Sequence, residues 1–64
     1  MIKKIKDLTV EDIKECFGNL FSIDEACCVL FMKAAMINND ELLETFKRTV
    51  PEEILNKEIE IDND

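Results

Sequence analysis

Three cysteines, one serine and a surplus of carboxylates are the side chains of this sequence that could do chemistry. Cys16, Cys27 and Cys28 carry thiols that could bind a metal or exchange electrons, but no C-x-x-C pair is present and there is no histidine to complete a zinc set. Neighbouring cysteines on a helix point about 100° apart, which makes joint ligation by Cys27 and Cys28 awkward. An odd number of cysteines, two of them adjacent, also does not suit the disulfide framework of a secreted mini-protein. Reduced, buried thiols in a cytoplasm are the expectation. A cysteine-based metal or redox protein is kept as one alternative.

Without histidine, neither Ser22 nor a cysteine has an imidazole to activate it, and the commonest general base is missing. Tyrosine and tryptophan are absent too. Ser22 is better explained by Glu25 three residues on, a capping box that starts a helix. Asp62-Asn63-Asp64 opens like a calcium loop but lacks its glycine and closing glutamate, and reads as a solvated tail. No catalytic residue, metal or cofactor is assigned, and a non-enzymatic protein is expected.

Fifteen acidic against eight basic residues give a net charge of −7. Most of such a surface repels a polyanion, so direct nucleic-acid binding is not expected. The stretch from Thr9 to Ala34 superficially resembles a helix-turn-helix, yet its second helix would open with Asp24 and Glu25 where a DNA reader offers basic or amide side chains. The carboxylates of Glu11, Asp12, Glu15, Asp40, Glu41, Glu44, Glu52, Glu53, Glu58, Glu60, Asp62 and Asp64 could instead imitate a row of phosphates. An acidic nucleic-acid mimic that blocks an enzyme's nucleic-acid groove is therefore the other alternative. The plainer explanation is that acidic surfaces keep small proteins soluble.

The elements that carry these residues are helices. Apolar residues make up 47% of the 64 and charged residues 36%, a balance for a folded domain, and one glycine with one proline leaves little for the turns of a multi-strand sheet. Thr9-x-x-Asp12 starts a first helix with Val10, Ile13, Cys16, Phe17, Leu20 and Phe21 at steps of three and four. Gly18-Asn19 lies inside its last turn or caps it. A second helix is expected over about 23–37, with Ile23, Cys27, Leu30, Ala34 and Ile37 on one face and Cys28, Val29, Met32, Ala35 and Met36 on the other. Asn38-Asn39-Asp40 starts a third over about 40–49, carrying Leu42, Leu43, Phe46 and Val50. Pro51 with Glu52 and Glu53 opens a short fourth. Residues 58–62 alternate with period two, and an antiparallel pairing with the basic lead, Ile2 and Ile5 near Ile59 and Ile61, is one arrangement of the ends; frayed ends are the other.

The fold expected is thus all-α, a single small domain of three to four short helices packed around a central apolar helix. The four phenylalanines, Phe17, Phe21, Phe31 and Phe46, are assigned to its core. No apolar run reaches the roughly 18 residues of a membrane span, and no export signal is evident at the start. A helix apolar all round must be buried all round, and a 64-residue chain can hardly cover it. The expected function is therefore a protein–protein interaction module, a small regulator or inhibitor of a larger protein, paired as a homodimer. Its contacts are expected at Val29, Met32 and Met36 or at Glu41, Glu44, Glu52 and Glu53. The abundance of Ile, Lys and Asn fits an AT-rich genome such as that of a mobile element.

Overall fold

The computed structural model describes residues 1–61, in the order β1 (Ile2–Lys4), a 3₁₀ turn (Ile5–Asp7), α1 (Val10–Ile23), α2 (Glu25–Met36), α3 (Asp40–Lys47), α4 (Glu52–Leu55) and β2 (Glu58–Glu60). The Asp62-Asn63-Asp64 reading lies outside the described residues. The architecture is the expected helical one, four helices packed together, with a two-stranded ladder closing the ends.

α1 begins as its sequence requires. The Asp12 amide donates to Thr9 Oγ1 at 3.2 Å and the Thr9 amide donates to Asp12 Oδ2 at 3.1 Å, a reciprocal capping box that satisfies two otherwise orphaned donors. Val10, Ile13, Cys16 and Leu20 then face inward. The helix bends at Cys16, whose φ and ψ of −118° and 18° leave the helical region, and continues through Gly18 and Ser22.

Of the two placements open to Gly18, the structure takes the one inside α1, without the left-handed conformation of a C-cap. One expectation is corrected: Ser22 does not cap α2. Its hydroxyl donates back to the Gly18 carbonyl at 3.2 Å, and Asp24 caps α2 by accepting from the Cys27 amide at 2.8 Å. Packing explains both: a glycine costs a helix about 1 kcal/mol, whereas ending the helix at Gly18 would withdraw the fully buried Leu20, worth about 1.5–3 kcal/mol, and the partly buried Ile23 from the core. The joint between the helices is then the single extended residue Asp24.

α2 buries Cys27, Cys28, Phe31, Ala34 and Ala35, and its packing with α1 is the most extensive in the molecule. It ends where Asn38 takes a φ of 51° and the Asn38 and Asn39 amides donate to the Ala35 and Ala34 carbonyls. This is a Schellman ending with asparagine in the left-handed position. The cap of α3 is accordingly Asn39, which accepts from the Leu42 amide at 2.9 Å, and not Asn38. Leu43 and, just beyond α3, Val50 are buried, while Phe46, Leu42, Ile54 and Leu55 pack at the margin.

The ends pair. β1 and β2 are antiparallel, with Ile2 opposite Glu60, Lys3 opposite Ile59 and Lys4 opposite Glu58. Ile5, Ile59 and Ile61 enter the core, while Ile2 remains 61% exposed. An isolated ribbon of this size is marginal, and α1 supports this one: Lys3 Nζ donates to Asp12 Oδ2 at 2.7 Å, and Asn19 Nδ2 donates to the Glu60 carbonyl at 2.9 Å. Among the described residues every buried side-chain nitrogen and oxygen has a partner, and no helix is long and apolar enough to cross a membrane.

Candidate functional site

The joint at Asp24 folds α1 and α2 side by side, so that the outer face of each borders the same groove. From α1, beyond its bend, come Phe17 and Phe21, one helical turn apart with ring centroids 6.4 Å apart. From α2 come Val29, Met32, Lys33 and Met36, and Cys28 forms the floor. The cavity measures about 340 Å³. Phe17 and Phe21 are 46% and 47% exposed, Val29 48% and Met36 74%. These are large apolar side chains left half in water beside a core whose members are almost fully enclosed.

The groove is lined almost wholly by apolar side chains, with Lys33 its one charged residue. Its one thiol, Cys28, is fully buried and donates to the Phe17 carbonyl at 3.6 Å, which ties the two helices together below the apolar surface. Burial pushes the Cys28 thiol above its ordinary value. Burial, reinforced by the charges of Asp12 and Asp24 respectively, pushes Cys16 up to about 11 and Cys27 up to about 12. The thiolate is the nucleophile and the metal ligand, so burial and a raised pKa both disfavour that chemistry at these three sulfurs. Among the described residues no group of three or more cysteine or carboxylate side chains is placed to hold a metal ion.

Asp12 is the one buried carboxylate among the described residues. Burial by itself raises an acid's pKa, but here the hydrogen bond from Lys3 and those from the Thr9 amide and hydroxyl outweigh it and hold the carboxyl below its ordinary 3.8. Its role is to join β1 to the start of α1.

Of the residues expected to meet a partner, Val29, Met32 and Met36 come together in the groove. Glu41 and Glu44 lie apart from them, on the outer face of α3, around a shallow depression shared with Asp40 and Arg48. Glu52 and Glu53 sit in the first turn of α4 and line neither. A larger hollow, about 540 Å³, lies between the start of α1 and α3. Of its lining residues only Lys47 is cationic, and Lys47 Nζ is already engaged by the Leu8 carbonyl at 2.7 Å and Glu44 at 3.0 Å.

Phe17 and Phe21 correct the expectation that all four phenylalanines are core. Phe31 is fully buried and Phe46 partly, but these two face outward. Cys28 is buried, as expected of the thiols, and Ala35 on the same face of α2 is buried with it. α1 carries two adjacent stripes of equal period, one through Cys16 and Leu20, the other through Phe17 and Phe21. Periodicity does not decide which turns inward; packing against the rest of the fold, most of all α2, does, and it encloses Cys16 and Leu20. The available signal was the width of the apolar arc of α1, greater than one neighbouring helix covers.

No family model, curated protein or solved structure matches this chain.

Proposed function

We propose that the chain is a non-enzymatic protein–protein interaction module that docks a protein surface in the groove between α1 and α2, and that this docking serves regulation or inhibition of a larger protein. The observation that supports this reading is the contiguous exposure of Phe17, Phe21, Val29 and Met36. Burying apolar area yields about 25 cal/mol per Å², and rimmed apolar patches on small folded proteins mark contact sites. Methionines at the groove adapt their shape to a partner. The acidic face has less to support it as a phosphate mimic, because Arg48 stands among Asp40, Glu41 and Glu44.

Photo-crosslinking tests the reading. A benzophenone amino acid replacing Val29, irradiated in the native host, should yield discrete protein adducts, while the same probe replacing Glu53 should yield none or different ones. Adducts absent at Val29, or identical from both positions, would overturn it.

A further inference from the structure

Building on the groove as a protein-docking site, we infer that its occupant is a second copy of this chain, joined through an antiparallel, two-fold symmetric crossing of α2 on α2 centred at Val29. A two-fold interface brings residue i of one copy against j of the other and j against i, so a surface suited to it must be complementary to itself. The exposed stripe of α2 has that property. Glu25 and Lys33 lie four residues before and after Val29, each about 6 Å from it along the axis and on the same helix face. Antiparallel crossing at Val29 therefore sets Glu25 against Lys33 of the second copy, twice.

The apolar residues follow the same symmetry. Phe21 lies near the Asp24 joint, at the Glu25 end of the groove, and Met36 lies at the opposite end, where Lys14 Nζ of α1 reaches Asn38 Oδ1 at 2.6 Å. The two-fold lays Phe21 of each copy toward Met36 of the other, an aromatic–thioether contact that is favourable in itself. A stable interface takes about 800 Å² from each partner, about a fifth of the chain's 4089 Å². One helical face is the right scale. The charge of −7 on each copy opposes association at long range, but at physiological ionic strength such repulsion is screened beyond about 8 Å. The assembled pair would leave both α3 faces, with Glu41 and Glu44, turned outward toward a larger protein.

Sedimentation of charge-exchanged chains tests the arrangement. The wild-type chain should sediment at twice its 7.4 kDa at micromolar concentration. Glu25→Lys places four cations at the crossing and Lys33→Glu places four anions, and each should weaken self-association about tenfold or more. Mixed together, the two variants should form a heterodimer tighter than either homodimer, since both pairs are then restored. Val29→Glu, at a position half exposed in the single chain, should give a folded monomer. A wild-type chain that sediments at its own mass, or a dimer indifferent to the exchanges, would overturn the inference. Adducts from Val29 to a different protein would in that case still uphold the docking groove, whereas no adducts at all would remove both.

Discussion

Asp12 shows how one side chain can serve two elements. It completes the capping box of α1 and receives Lys3 from β1, so its charge is stabilised only in the folded chain. Its carboxyl is held below the ordinary 3.8 when folded. The unfolded chain therefore takes up a proton first as pH falls, and the stabilisation, fully present above about 3.8, is lost as pH drops through the lower folded value. Asp12→Ala should cost about 1–3 kcal/mol at neutral pH. In urea titrations the gap between variant and wild type should narrow steadily below pH 3.8; a gap independent of pH would show that the charge is not what matters. Thr9-x-x-Asp12 made this cap legible in the sequence, because the motif is local and its two partners are three residues apart. The Lys3 contact was not legible, since it depends on the far end of the chain pairing with β1.

Helix boundaries illustrate the limits of local reading at the next scale. Between α1 and α2 the sequence offers a glycine, a Ser22-x-x-Glu25 box and Asp24 within eight positions, each a residue type that can end or start a helix. Local chemistry does not rank them; burial of Leu20 and Cys27 on either side of Asp24 does. The same holds after α2, where Asn38 takes the left-handed position and leaves the capping to Asn39. That Gly18 sits inside a helix can be tested directly. A Cβ built there meets nothing within 4 Å, and its φ is negative, so Gly18→Ala should stabilise the fold by about 0.5–1 kcal/mol. Thermal unfolding in a Val29→Glu background, free of self-association, would measure it. Destabilisation would mean that the helix does not run through this position.

For the molecule as a whole, the all-α core and the over-apolar α2 could be read from composition and period, and with them Val29, Met32 and Met36. The pairing of β1 with β2 could only be raised as an alternative, because it joins residues more than fifty positions apart and rests on support from α1. Phe17 and Phe21 escaped for a related reason: which stripe of α1 turns inward is settled by α2. The central claim is that this outward face is covered by protein in the working molecule. Hydroxyl-radical footprinting addresses it with an internal control, since Met36 and Met1 are 74% and 54% exposed in the single chain. At micromolar concentration the wild-type chain should oxidise more slowly at Met36 than at Met1, and Val29→Glu should restore Met36 to the faster rate. Met36 oxidising faster than Met1 in both proteins would contradict the account.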